Sequence, residues 1–400
     1  MVFETKAYLN SNDGSGILAF GEQSRCVLGV SDDVQKMEAF LNKNNSEYIF
    51  VCLSYDLKNR FYPLVSDKLD SVNFPEAIFW VPEYVVKINR EEITFLKGDR
   101  NSENLAFLSA FLEEETDRNF HNYQIDFQPR IDFKTYIEKV NRLKKHIQRG
   151  DIYEVNFCQE FFAENCTIDF PMDAFFKMNE VTQAPFSAYV QFDEFSVFCG
   201  SPERFLKKEG DRLITQPIKG TAPRGSNEKE DEVIKEELRN NPKERSENIM
   251  IVDLVRNDLS QVAAKGSVKV DELCVIYSFE TVHQMISTVS CELREDVSFI
   301  DILKATFPMG SMTGAPKKRA MEIIEEYESF KRGLYSGTIG YISPNGDFDL
   351  NVVIRTLLYN ADKKYLSCSV GSAITFESVP EMEFEECKTK IEKIFKALHA

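Results

Sequence analysis

Apolar runs of strand length come in clusters along this chain, with helical patterns between the clusters and not between single strands. Regular strand–helix alternation would build a doubly wound parallel sheet, whereas runs of neighbouring strands point to an α+β fold. Residues 48–53 and 77–81 are short, apolar and rich in β-branched and aromatic side chains, as strands require. Tyr136, Val140, Leu143 and Ile147 recur at helical spacing, and Gly150 supplies the left-handed residue that ends a helix. Tyr153, Val155, Phe157 and Phe161 then fall mostly on one face of an alternating strand. Two later strands are expected over 334–342 and 352–359. Between them Pro344, Asn345, Gly346 and Asp347 carry the Asn-Gly signature of a hairpin.

With 400 residues, 43% of them hydrophobic, the chain can bury a large core in one large or two medium domains. A net charge of −17 argues against nucleic acid or an anionic membrane surface as partner. No apolar run reaches the roughly 18 residues of a membrane-spanning helix. The start, from Met1 to Lys6, lacks the basic and apolar regions of a signal peptide. Nine cysteines, an odd number with no CxxC pair, exclude a zinc knuckle and fit reduced thiols, so a cytoplasmic location is expected. Two parts are expected: an irregular segment 1–130, with the acidic stretch 101–130 as a connector, and a sharper pattern over 131–400.

Most chemistry-bearing residues lie in that second part. Lys219 and Gly220 end an apolar run at Pro217 and Ile218, and Glu203 occupies a similar strand-then-turn setting after Ser201 and Pro202. Alone, a strand lysine is a solvated edge residue. Asn241 and Pro242 can cap and start a helix, with Glu244 and Glu247 following on one face. Ser378 and Glu381 read as a capping box for a C-terminal helix. There Phe384, Cys387, Ile391, Ile394, Phe395 and Leu398 form an apolar stripe, while Glu383, Glu386 and Lys390 share another face. Two helices each carrying an i, i+3 glutamate pair are a donor set for one Mg²⁺, completed by waters and a ligand's oxygens. Either pair alone is equally a solvated face of an acidic protein. Two small-residue turns, around Ser311 before a helix with Pro316 in its first turn, and at Gly371, Ser372 and Ala373, offer hydroxyls and amides to an anion. Neither a phosphate loop nor a dinucleotide fingerprint occurs. His283 sits where a hydrogen-bonded core histidine is the ordinary outcome.

In combination these segments resemble the chorismate-binding enzymes, a family that includes component I of anthranilate synthase and of aminodeoxychorismate synthase. The resemblance rests on Pro217 to Thr221, Glu247 to Leu259, Gly314 to Met321, Gly340 with Tyr341, and Val353 to Thr356. It covers residues 132–400 better than the first 130. It implies two packed antiparallel β-sheets flanked by helices, with residues 1–130 as a divergent part of that fold. By resemblance, Glu247 and Glu386 are direct or water-mediated Mg²⁺ ligands supported by Glu244 and Glu383. Tyr341 and Arg355 would hold the enolpyruvyl carboxylate, and the amides of Gly371, Ser372 and Ala373, with the metal, the ring carboxylate. Thr221, Ser311 and Lys390 would line the pocket, with His283 near the ring. The metal, Arg355 and Lys219 would reverse the negative field for a dianionic substrate.

Lys219 distinguishes branches within the family. Anthranilate-forming members typically carry Ala there, whereas the lysine is similar to aminodeoxychorismate synthases, where it is proposed to attack the ring. Lysine titrates near roughly 10.4, so presenting a free amine at neutral pH costs about 4 kcal/mol. Burial is expected to supply roughly that much. The resemblance then implies Lys219 adding at C2 while Glu203 protonates the departing C4 hydroxyl, followed by ammonia at C4, on the route to 4-aminobenzoate and folate. The alternative is anthranilate and pyruvate. Glu154 stands where ammonia-using members commonly have Gln and isochorismate-forming ones a lysine base. Ala373 replaces a second Gly, and no segment typical of tryptophan-inhibited members is evident. No glutaminase module is visible, so a separate glutamine amidotransferase subunit is expected to deliver ammonia.

Overall fold

A computed structural model describes residues 3–89, 92–116 and 121–399. Among these, the strands form two sheets, one of 11 strands and one of 10, with antiparallel pairing in both. Val51, Phe79, Leu213 and Leu350 of one sheet and Val190 and Val197 of the other share one apolar core. A second core forms where the helices Phe133–Arg149 and Pro380–His399 bring Tyr136, Val140, Cys387 and Ile391 against Phe157 and Phe161. Strand Glu154–Ala163 is therefore buried on both faces, with Phe157 toward the helices and Cys158 toward the other sheet. The α+β expectation of two packed antiparallel sheets flanked by helices describes this architecture.

Local signals are realised where they were complete. Asp132 caps the Phe133–Arg149 helix by accepting from the Thr135 N–H, and Gly150 ends it at φ 82°. The hairpin at residues 343–347 joins Thr338–Ile342 to Phe348–Asn351, with Ile342 opposite Phe348. Elsewhere the sequence pattern overreached. Tyr153 precedes its strand and is 70% exposed. Residues 333–336 form a turn with Ser336 at φ 63°, so that strand begins only at Thr338. The strand expected from 352 begins at Thr356, after Arg355 at φ 52°.

Strands from either side of residue 130 are interleaved. Ile49–Leu53 lies between Thr338–Ile342 and Ala77–Val81, and Lys6–Asn10 lies between Phe186–Phe192 and Ser15–Phe20. The acidic stretch 101–130 is more than a connector. It holds the helix Ser102–Thr116, whose Leu108 and Phe111, three residues apart, reach the second core. Residues 117–120 of that stretch lie outside the described residues.

Candidate active site

The edges of the two sheets meet at one point. The 10-stranded sheet ends at Ile218–Pro223, while Glu154–Ala163 lies at the edge of the other beside the short strand Gly314–Ala315. Lys219 Nζ donates to Glu154 Oε1 at 2.7 Å across this junction, with side chains 10% and 0% exposed. Gly220 has φ 94°, and a Cβ there would come within 3.1 Å of Glu244 Oε2. Glycine thus lets the lysine strand run close against the helix Pro242–Ser260. Asn241 fixes the start of that helix, its Oδ1 accepting from the Lys243 and Glu244 N–H groups at 3.0 and 3.2 Å.

The electrostatics reverse one expectation. Burial does act to discharge Lys219, but Glu154, Glu247 and Glu203 outweigh it and hold the ammonium above its ordinary range. Burial alone therefore leaves the lysine charged. Glu203 behaves oppositely: burial pushes it up to about 7, although the Ser311 hydroxyl donates to its Oε1 at 2.7 Å and Lys219 lies nearby. A charged ammonium and a carboxyl that is partly protonated near neutrality therefore feel one another's field.

The glutamates on two helices are drawn to the same region. Burial raises Glu247 to about 7, and its Oε1 is buried without a hydrogen-bond partner. Burial also raises Glu244, which feels the like charge of Glu386 from the Pro380–His399 helix. Burial acts to raise Glu386 as well, but Lys390 at 2.5 Å overrides it and holds Glu386 low. Glu383 is buried and accepts a hydrogen bond from the Ser372 hydroxyl. Among the described residues, no three acidic or other ligating side chains converge closely enough to form a metal cluster. The donor set still fits Mg²⁺ in kind, since it consists of hard carboxylate oxygens, one of them buried without a hydrogen bond.

Arg355 departs from the surrounding strand pattern. Its backbone is held in the left-handed region while its carbonyl accepts from the Gly200 N–H at 3.0 Å. Such a conformation costs a non-glycine residue about 1–3 kcal/mol. Among the described residues it has no ion-pair partner, and burial weakens its charge while Tyr335 and Glu386 support it. An unpaired, half-buried guanidinium suits a carboxylate ligand. Tyr335, not Tyr341, is its tyrosine neighbour. Tyr341 instead faces a cleft between the sheets that Arg204 and Asp349 also line.

The remaining expected residues are placed unevenly. Lys390 reaches the Gly371 carbonyl at 2.9 Å and so links the C-terminal helix to the strand Tyr365–Ile374. The absent side chain of Gly371 makes room for Asn156, whose Oδ1 would lie 2.1 Å from a Cβ there. Pairing with Thr356–Asn360 stops at Cys368, opposite Leu357, leaving one edge of Ser372 and Ala373 without a strand partner among the described residues. Thr221 is exposed. His283 is fully buried, with Nδ1 2.8 Å from Ser278 Oγ and Nε2 2.9 Å from Asp231 Oδ1. These contacts tie it to the Glu228–Asn240 helix and leave neither ring nitrogen free for a ligand. Pro316 lies at the N-cap of the Lys317–Tyr327 helix, outside its first turn. Ser378 forms no capping box with Glu381; it accepts from the Thr375 N–H and donates to the Ala373 carbonyl.

The family model for chorismate binding enzyme matches residues 4–396, including the N-terminal segment where motifs were sparse. Aminodeoxychorismate synthase component 1 of Escherichia coli (strain K12) is 36% identical over 346 residues, 86% of this chain and 75% of that protein. Anthranilate synthase component 1 of Aquifex aeolicus is 38% identical over 296 residues, 73% of this chain and 57% of that protein. Anthranilate synthase component I from Streptococcus pneumoniae TIGR4 superposes with a TM-score of 0.81 at 24% identity, covering 95% of this chain and 92% of that one. With the model matching almost end to end and the junction of the two sheets bearing the motifs, this chain belongs to the chorismate-binding enzyme family.

Proposed function

We propose that the chain is component I of an aminodeoxychorismate synthase, converting chorismate and ammonia to 4-amino-4-deoxychorismate for 4-aminobenzoate and folate synthesis. The observation that carries this reading is Lys219, whose side chain, 10% exposed, is anchored on buried Glu154 at 2.7 Å, together with buried Glu203, held by the Ser311 hydroxyl at 2.7 Å. Several relatives at 36–41% identity are aminodeoxychorismate synthases, which supports the same branch. Lys219 adds to C2 through its amine, freed as its ammonium proton passes to Glu203, which in turn protonates the C4 hydroxyl that leaves as water. Arg355, with Tyr335 beside it, receives a carboxylate of the substrate. Glu247 and Glu386, supported by Glu244 and Glu383, hold Mg²⁺, whose positive charge offsets the site's carboxylates and permits a dianion to bind. Ammonia reaches the site from a separate glutamine amidotransferase subunit, and the complex acts in the cytoplasm.

Incubating the purified chain with chorismate, ammonium and Mg²⁺, and identifying products by liquid chromatography and mass spectrometry, tests the reading. Aminodeoxychorismate is expected, with chelation abolishing turnover and Lys219→Ala lowering it by at least about 100-fold, the scale of losing a covalent catalyst. Anthranilate would move the chain to the other branch and strip Lys219 of its role as nucleophile.

A further inference from the structure

Glu154 has no role in the chemistry above, yet it is wholly buried and holds Lys219. Its environment differs from that of two other buried glutamates, Glu160 and Glu328. On the same strand, Glu160 accepts from Arg130 at one oxygen and from Tyr365 and Ser367 at the other. Buried Glu328 likewise fills both oxygens, with Arg332 and the Cys158 N–H. Glu154 has one donor, Lys219, on Oε1, while Oε2 is buried with none. A buried acceptor left empty costs about 1–3 kcal/mol, more when charged, so Glu154 Oε2 calls for a donor that the described residues do not supply.

The carboxylate is also rigidly aimed. Ala315 pairs with Glu154, and a Cβ at Gly314 would meet the Glu154 carbonyl oxygen at 2.2 Å, so the neighbouring strand lies directly against it. Two residues on, the Asn156 carbonyl accepts from buried Arg332 at 2.9 Å. An ionised carboxylate only accepts hydrogen bonds, so the partner of Oε2 must bring N–H or O–H groups. The reaction proposed above, on which this step rests, brings in one more nitrogen beside Lys219.

We propose that Glu154 bridges the two nitrogens of the reaction, Oε1 holding the Lys219 amine and Oε2 receiving the incoming ammonia. In the second half of the reaction the ammonia electron pair forms the C4–N bond. The ring double bonds shift back, and the C2–Nζ bond breaks with its pair returning to lysine. One proton of the new C4 ammonium group crosses the Glu154 carboxylate to Nζ, leaving a neutral product amine and restoring the ammonium–carboxylate pair. Glu203, which gave its proton to the leaving hydroxyl and took one from Lys219 in the first half, is already protonated, and the cycle closes. Glu247 and Glu244 face the same lysine but lie on the helix assigned to the metal.

Glu154→Gln tests this, because the amide keeps the volume but turns a donor toward ammonia once its oxygen engages Lys219. Three quantities are measured in wild type and variant: KM for ammonium, KM for chorismate, and formation of the Lys219 adduct from chorismate without ammonia, by intact-protein mass. The expected result is an ammonium KM raised at least about tenfold, with chorismate KM within about twofold and adduct formation retained or faster, because the amide no longer holds the lysine charged. An unchanged ammonium KM overturns the proposal, as does loss of the adduct with that KM intact, since Glu154 would then serve the lysine alone. Glu154→Asp, which keeps the charge but withdraws it, gives the same split if the glutamine variant does not fold. Should the wild type make anthranilate, the functional reading fails separately and the ammonium comparison still decides the role of Glu154.

Discussion

At Glu203, burial and hydrogen bonding pull in opposite directions. Burial favours the protonated acid and wins, placing the group at about 7, while the Ser311 hydroxyl at 2.7 Å favours the anion. As a general acid Glu203 works protonated, so kcat/KM for chorismate should fall as pH rises through about 7. Ser311→Ala removes a donor to the ionised form, so the proton is retained to higher pH. A hydrogen bond to a charged group is worth about 1.5–3 kcal/mol, so that limb should move upward by about one to two pH units. A pH profile unmoved in the variant would deny Glu203 the acid role. The chemical character of this residue was legible in the sequence from its turn setting, but its protonation was not, because depth of burial depends on how the sheets pack. Lys219 shows the same limit more sharply. Burial was expected to free its amine, but Glu154, 65 residues away in sequence, keeps it charged.

Elements were legible where a few adjacent residues determine the geometry. Asn241 with Pro242, Gly150 and the Asn345-Gly346 turn all behave as their local chemistry dictates. Tyr335 and Tyr341 show the opposite case. On a continuous strand over 334–342, residues 335 and 341 would share a face, because side chains alternate with period two. The turn at 333–336 breaks that equivalence and sends Tyr335 to Arg355 and Tyr341 to the inter-sheet cleft. Its signal was the Gly333 and Gly337 pair that flanks the segment, which permits a turn but does not say which tyrosine it redirects. The Asn241 cap carries a prediction at this scale. Its Oδ1 satisfies two N–H groups of the first turn, which includes Glu244. Asn241→Ala should cost about 1 kcal/mol, read as a lower urea midpoint at unchanged m. It should also raise the Mg²⁺ concentration needed for half-maximal activity, because fraying displaces Glu244. A stability loss without that shift would separate Glu244 from the metal.

At the scale of the molecule, the weak motif content of residues 1–130 suggested a boundary that the topology does not respect. Ile49–Leu53 is an inner strand whose two neighbours lie on opposite sides of residue 130, and its five residues are all buried. Strand order depends on pairing between distant segments, which local patterns do not encode. Val51 and Phe79 from the first part and Leu350, Val197 and Leu213 from the second belong to one apolar core. Each large apolar side chain buried there contributes about 1.5–3 kcal/mol, so a fragment beginning at residue 131 forfeits far more than the roughly 5–15 kcal/mol of net stability a folded chain has. The intact chain should therefore unfold in one urea transition that coincides by far-ultraviolet dichroism and by fluorescence of Trp80, buried in the first part. Residues 131–400 expressed alone should show no cooperative transition and should bind a hydrophobic dye. A fragment that unfolds cooperatively, or an intact chain whose Trp80 signal changes at a separate midpoint, would mean that the first 130 residues form an independent unit docked on the rest.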